Sequence, residues 1–378
     1  MSKWAGKYVI GLTGNIGTGK SVVRRMLEHL GAYGIDADAL AHRTIGPGAP
    51  GYQPVIDYFG RYILSPDGSI NRVKLGRLVF NDAKALTHLE QIVHPLVSQA
   101  VDILVRRSPH NVVVIEAIKL LESELRDQID TVWVVTVPPE VQLNRLIQER
   151  KMTETDALQR INAQPPQVEK ITAADVVILN DGGFVECWQQ VASAWKAHVP
   201  ADAIDTDSDK SVRTSASLRV IRALPRNSDE ITALFNRFSP DITSHSTEDI
   251  MAAFGEKAFL LLYDEDQLRA LIGWQVENLV ASTTDFVIDA QISLETALTT
   301  LVKEMEKASK SLQCEVSLIH LPPRLSRFEW LWKSLGYRRT LPENLETQAW
   351  QAAAQSSMQD GTVLYFKKLR TDRILQPI

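Results

Sequence analysis

Eight consecutive residues, Gly14-Asn15-Ile16-Gly17-Thr18-Gly19-Lys20-Ser21, fit the pattern G-x-x-x-x-G-K-[ST] and constrain this chain more than any other stretch. The pattern works only where a strand turns sharply into a helix. Its glycines bring backbone N–H groups onto phosphate oxygens, and the helix start adds unpaired N–H groups and a positive dipole end. Both flanks fit. Lys7 through Leu12 is β-branched and aromatic, as a buried first strand should be. Val22, Val23, Met26, Leu27 and Leu30 recur at helical spacing, with Arg24, Arg25 and Glu28 between them as the polar face. The motif predicts that Asn15, Ile16, Gly17, Thr18, Gly19, Lys20, Ser21 and Val22 wrap the phosphates of a nucleotide. Lys20 would reach the β- and γ-phosphates and the Ser21 hydroxyl would hold Mg²⁺. A glycine-rich turn before an ordinary helix is the plainer alternative, and the flanks weigh against it.

A chain of 378 residues exceeds one typical core, so two domains are expected. A net charge of -5 gives no reason to expect a nucleic-acid partner. Cys187 and Cys314 lie far apart and in no metal-ligand spacing, which predicts a reducing, cytoplasmic setting. No apolar run approaches a membrane span and the N-terminus lacks the apolar core of a signal peptide, so no membrane association is expected.

Val112–Ile115, Val132–Val135 and Val176–Leu179 are continuous apolar runs, the pattern of parallel strands buried on both faces. Amphipathic segments separate them, around Leu86, Leu89, Ile92 and Val93 and again around Leu143, Leu146 and Ile147. Strands alternating with helices predict a doubly wound α/β sheet in a first domain over residues 1–200. Residues 201–216, rich in Asp and then Ser/Thr, read as a linker. The remainder, 217–378, has an α+β rhythm. It opens with a strand at Leu218–Arg222 and a helix marked by Ile231, Leu234, Phe235 and Phe238. A meander over Ala258–Tyr263, Ala270–Val276 and Thr284–Ile288 follows, with a turn at Asp264-Glu265-Asp266. Then come a long helix around Leu298–Ala308, a strand at Glu315–Ile319, a helix ending at Gly336 and a last strand at Thr362–Lys367.

The phosphate loop names a nucleotide and not a reaction. No Asn-Lys-x-Asp base-reading motif occurs, which argues against a GTPase. Ile35-Asp36-Ala37-Asp38 should lie on the second strand, at the crevice beside the loop. Carboxylates at i and i+2 of a strand point the same way, so Asp36 could take the proton of an attacking hydroxyl while Asp38 holds a metal-bound water or substrate. The alternative is an Asx turn capping the next helix, a role that suits Asp38 as well.

An ordered set of segments makes residues 7 to about 198 resemble the dephospho-coenzyme A kinases. Besides the loop and Ile35–Asp38 it comprises Gly46-Pro47-Gly48-Ala49-Pro50, Phe59-Gly60 and Asp67-Gly68-Ser69-Ile70-Asn71-Arg72. Val79-Phe80, His94-Pro95, Arg160-Ile161-Asn162-Ala163-Gln164 and Asp175–Asn180 complete it. The resemblance implies transfer of the γ-phosphoryl of ATP to the ribose 3′-hydroxyl of dephospho-CoA, with ATP and Mg²⁺ as cofactors. Asp36 matches the base, and Arg145 through Gln164 matches a helical lid whose Arg145, Arg150 and Arg160 could meet the phosphates. Asn180 matches a position near the adenine. Asp36, Asp38 and His94 match the acceptor side, with His94 open between substrate contact and helix cap. Glu116, where the family often has Asp, is expected on the same side and could help order Mg²⁺. Besides Glu116, three features depart from the family pattern. Asn15 stands where a glycine is common, Ile118-Lys119-Leu120 replaces Pro-Leu-Leu, and Arg145 and Arg150 are five apart with Glu149 at the expected place.

Residues 217–370 resemble, more faintly, the acetyltransferase fold that binds acetyl-CoA. The element order fits, as does Phe328 through Tyr337 with its Gly-Tyr turn. The loop expected to cradle the pyrophosphate, Asp289 through Glu295, has no glycine, and none occurs between Gly273 and Gly336. Tyr263, Glu277 and Tyr337, the candidate catalytic groups of such a fold, read as core or surface positions. The expectation is a kinase with a degenerate accessory domain, through which any homo-oligomer would form. A nucleotide-gated interaction protein and a bifunctional kinase with an acyl-CoA-binding domain are the alternatives.

Overall fold

The computed structural model describes residues 3–204, 212–213, 218–238 and 244–372. Its first sheet contains β1 (Tyr8–Thr13), β2 (Tyr33–Asp36), β3 (Val112–Glu116), β4 (Thr131–Thr136) and β5 (Val176–Leu179). All are parallel, in the order β2-β3-β1-β4-β5. Between them run α1 (Lys20–His29), α2 (Ala37–Thr44), α3 (Tyr52–Phe59), α4 (Arg72–Asn81), α5 (Ala83–Arg107), α6 (Pro139–Gln148), α7 (Glu154–Asn162), α8 (Gln167–Thr172) and α9 (Phe184–His198).

The continuous Val/Ile runs follow from burial of both faces. On one face Val9, Val113, Ile115 and Val134 pack against Leu40, Val55, Val101 and Leu104 of α2, α3 and α5. On the other, Ile10, Leu12, Val114 and Trp133 pack against Met26, Leu27, Val191 and Trp195 of α1 and α9. The architecture is the doubly wound one expected. β5 departs from the reading: as the edge strand it buries Val176 and Ile178 while Val177 and Leu179 stay exposed.

The second sheet is assembled from β6 (Val212–Arg213), β7 (Leu218–Arg222), β8 (Ala258–Asp264), β9 (Gln267–Glu277), β10 (Val280–Ile288), β11 (Val316–Leu321), β12 (Arg338–Arg339) and β13 (Val363–Lys368). Their order is β12-β13-β11-β10-β9-β8-β7-β6, antiparallel except for the parallel pair β10–β11. Helices α10 (Ser228–Phe238), α11 (Thr247–Ala253), α12 (Leu294–Ser311), α13 (Pro323–Ser326), α14 (Glu329–Ser334) and α15 (Gln348–Ser356) connect them. The meander, the long helix and the final strands stand where the sequence places them. Gly336 follows α14 at φ +83°, the left-handed conformation that ends a helix. Helices α11, α13 and α15 were not legible. Val212–Arg213, inside the expected linker, is an edge strand paired with β7; the rest of that linker from 205 to 216 lies outside the described residues.

The two sheets meet through α1, α2 and β2. Arg25 pairs with Glu277 at 3.0 Å and Arg43 with Glu315 at 2.9 Å. His29 Nε2–H donates to the Phe254 carbonyl at 2.7 Å, and the Tyr33 hydroxyl to that of Leu312 at 3.5 Å. Leu279 of the second unit is buried in the core of the first. The reading of α1 is corrected here: Arg24 and Arg25, placed on its solvent face by periodicity, are each only 7% exposed, Arg25 against Glu277 of the second unit and Arg24 against Glu28 and Glu116 of its own.

Candidate active site

The loop from Gly14 to Ser21 joins β1 to α1. A Cβ on Gly14, at φ +150°, would lie 2.4 Å from the Val135 carbonyl oxygen, and one on Gly19, at φ +87°, 2.1 Å from Asn180 Nδ2. Both positions therefore demand glycine. Asn15 is not among the non-glycine residues with positive φ, so its departure from the family pattern strains nothing.

Around the loop the chain supplies its own polar partners. Asn15 N–H donates to Gln167 Oε1 at 3.0 Å and Ile16 N–H to Gln164 Oε1 at 2.8 Å. Gln142 Nε2 donates to the Ile16 carbonyl at 2.7 Å. Gln142 lies on α6 just ahead of the lid, Gln164 ends the lid and Gln167 opens α8. No periodicity marks them, and only Gln164 fell within a family-matched segment. Arg145 Nη2 donates to the Asn180 carbonyl at 2.8 Å, and Asn180 Nδ2 donates to that of Thr18 at 2.9 Å. Arg145 and Asn180 thus stand together over Thr18 and Gly19, while Arg150 and Arg160 are exposed. The Val22 N–H is taken by the Gly19 carbonyl.

Glu116, at the end of β3, ties that strand to two residues of α1. Its Oε1 accepts from Ser21 Oγ at 2.9 Å and its Oε2 from Arg24 Nε at 2.8 Å. Arg24 also holds Glu28 at 2.5 Å. Periodicity does offer one signal for Arg24: it lies one turn after Lys20 and so shares its helix face. Lys20 is buried, with Nζ 3.4 Å from the Asn15 carbonyl. Burial lowers its pKa, and the Glu116 and Asp38 carboxylates oppose that shift.

Asp36 and Asp38 do not share a strand. β2 ends at Asp36, whose Oδ1 accepts from Ala39 N at 2.8 Å and so caps α2. Asp38 sits in the first helical turn, its Oδ2 accepting from Ile118 N at 3.0 Å. The same-face argument fails because the helix starts at Ala37. Ala37-Asp38-Ala39-Leu40-Ala41 after an Asp is a helix-start signal that outweighs a two-residue alternation. Ile118, in the segment that departs from the family, also accepts from Thr13 Oγ1 at 3.1 Å and from the buried Lys170 Nζ at 2.5 Å. Burial, reinforced by the Glu116 charge, raises the Asp36 pKa to about 6. Burial likewise raises that of Asp38. His94 caps nothing: it lies exposed in the middle of α5, next to an equally exposed Pro95.

In the second unit the loop after β10 turns inward on a carboxylate. Asp289 Oδ1 accepts from Gln291 N at 2.9 Å and its Oδ2 from Arg269 Nη1 at 3.0 Å. A loop N–H that a phosphate cradle would use is thus taken internally. Tyr337 is a core residue, its hydroxyl 2.9 Å from Ser317 Oγ. Tyr263 is also buried, and Glu277 faces the first unit.

Among the described residues no group of three or more His, Cys, Asp or Glu side chains could hold a metal ion, and no helix is long and apolar enough to cross a membrane. Cys187 and Cys314 are buried and unpaired.

The dephospho-CoA kinase family model matches residues 8–186. A dephospho-CoA kinase of Streptomyces avermitilis is 42% identical over 200 residues, 51% of this chain and 98% of that protein. A crystal structure from Thermus thermophilus is 29% identical with TM-score 0.47, covering 52% of this chain and 99% of that one. An acetyltransferase structure of the GNAT family from Staphylococcus aureus is 12% identical with TM-score 0.33, covering 41% of this chain and 100% of that one. On the near-complete coverage of its relatives, this chain belongs to the dephospho-CoA kinase family.

Proposed function

We propose that residues 1–200 transfer the γ-phosphoryl of ATP to the ribose 3′-hydroxyl of dephospho-CoA, and that 217–378 form an accessory domain without acetyltransfer chemistry. One observation carries the reading: strand ends β1, β2 and β3 bring Lys20, Ser21, Asp36 and Glu116 to the same corner of the sheet. Phosphoryl transfer requires mainly alignment and charge neutralisation. Lys20 supplies fixed positive charge. Arg145, held over Gly19 by Asn180, supplies more. The Asn15 and Ile16 N–H groups, which rest on Gln167 and Gln164, exchange those oxygens for phosphate oxygens. Asp36 accepts the proton of the attacking hydroxyl, and its raised pKa brings it nearer the operating range of a general base. Asp38, held by Ile118 N, and Glu116 border the acceptor.

Mg²⁺ fits the donor set. A serine hydroxyl and a carboxylate 2.9 Å apart are the hard oxygen donors it takes, with phosphates and waters completing the shell. When bound it would neutralise charge on the transferred phosphoryl. Ser21 would be its ligand, with Glu116 ordering the hydroxyl.

The test is acceptor-dependent turnover. With Mg-ATP the purified protein should convert dephospho-CoA to CoA and should not phosphorylate AMP, UMP or shikimate comparably. Preference for one of those acceptors would sink the assignment. The broad contact between the two units keeps a nucleotide-gated interaction protein as the second reading, for which ATP turnover would not depend on dephospho-CoA.

A further inference from the structure

The corner holding Asp36 opens into a cavity of about 160 Å³ between the two units. Its kinase-side wall includes Ser21, Arg24 and Asp36, and its opposite wall is the β9–β10 turn, Glu277, Asn278 and Leu279. That volume falls below the roughly 300–1,000 Å³ of ordinary ligand pockets. It suits a sugar-sized part of an acceptor whose remainder extends outside.

The turn itself is unusual. Glu277 pairs directly with Val280, so Asn278 and Leu279 form a two-residue hairpin loop with φ +51° and +62°. Such a loop takes positive φ at both positions and favours Asn-Gly. A leucine in the second position is strained by about 1–3 kcal/mol. Here the leucine is only 7% exposed and packs into the hydrophobic core of the first unit. Arg43, in the helix that Asp36 caps, donates to the Asn278 carbonyl, and Arg25 holds Glu277 at 3.0 Å. The strained turn is therefore clamped to the kinase unit from three sides.

The geometry points to the β9–β10 turn as a wall of the acceptor site, with Leu279 as the positioning residue for the acceptor end that meets Asp36 and Glu277 as the carboxylate that sets the charge of that wall. This rests on the kinase reading above and deepens it: the accessory domain completes the acceptor pocket that the kinase fold leaves open on this side. Of the loop from Gly14 to Ser21 only Ser21 lines this cavity, so the wall faces the acceptor end and not the loop backbone expected to wrap the nucleotide phosphates.

Two variants of the full chain test it. Leu279→Gly relieves the φ strain and keeps the hairpin, but removes the plug. It should raise the KM for dephospho-CoA about fivefold or more, with kcat and the KM for ATP within about twofold of wild type. Glu277→Ala removes a carboxylate beside an anionic acceptor and frees Arg25. It should lower the same KM about two- to threefold and leave the ATP constant alone. An unchanged acceptor KM in both variants overturns the proposal, as does a parallel shift of both KM values, which would mark the turn as a structural brace only. If the wild-type chain itself fails to phosphorylate dephospho-CoA, the functional reading falls and the wall falls with it. Wild-type turnover with unmoved acceptor constants removes the wall alone.

Discussion

Arg43 Nη2 and Glu315 Oε2 lie 2.9 Å apart with side chains 13% and 2% exposed, one on α2 of the kinase unit and the other just before β11 of the second. The indole N–H of Trp350 donates to the same carboxylate oxygen at 3.2 Å. Asp36 caps the N-terminus of α2 and Arg43 stands in its last turn. The helix that orients the proposed base is therefore anchored at its far end to the other domain.

Removing one partner leaves a buried charge uncompensated, which costs about 3–5 kcal/mol, whereas an apolar pair of similar volume is often nearly neutral. Arg43→Met should destabilise the chain by about that amount in urea unfolding, and Arg43→Met with Glu315→Leu should recover most of the loss. Additive losses in the double variant would show that the two residues act independently.

Lys20→Ala should lower kcat by roughly 10²-fold or more and raise the KM for ATP, since it removes charge that faces both ground-state and transferring phosphates. Steady-state kinetics with saturating dephospho-CoA reads both. A kcat within severalfold of wild type would leave Lys20 a structural cation.

The kinase half was legible because its signals are local. Gly14 to Ser21, the Val112 and Val132 runs and the helices between them are set by neighbours in sequence. Arg25 shows where this ends: helical periodicity assigns it to solvent, yet it is buried and pairs with Glu277 of the second unit. Asp38 shows a different limit, a helix start competing with strand alternation one residue too early. Gln164 and Gln167 meet the loop from some 150 residues away, and Leu279 enters a core built by another unit. Nothing in the residues adjacent to them encodes those contacts.

Ser21 and Glu116 predict a metal dependence. Ser21→Ala should raise the Mg²⁺ concentration needed for half-maximal turnover by about tenfold, with a smaller rise for Glu116→Gln, which only orders the hydroxyl. Titration of Mg²⁺ at fixed ATP checks this. A larger effect from Glu116→Gln than from Ser21→Ala would make the carboxylate the direct ligand.

Asp36 couples pH to both activity and stability, with opposite consequences. Its pKa is raised from 3.8 to about 6, chiefly by burial and then by the Glu116 charge. As a base it works only when deprotonated, so kcat/KM should rise with pH through about 6 and then level off. For folding, a raised carboxyl pKa means that the native state holds the proton more tightly than the unfolded chain. Its favourable contribution is complete below about pH 3.8 and is lost as pH climbs through 6. Above that range the buried carboxylate costs on the order of 2–3 kcal/mol. Asp36→Asn removes this cost and keeps the bond to Ala39 N, because asparagine caps a helix as well as aspartate does. The variant should therefore lose roughly 10²-fold or more in kcat with little change in the KM for ATP, yet be more stable than wild type at pH 8 and no more stable near pH 4. Urea unfolding at the two pH values beside the pH–rate profile reads both sides. A variant less stable than wild type at pH 8 would mean that the carboxylate is charged and well compensated in the folded protein, and the pH dependence of turnover would then have to come from another group.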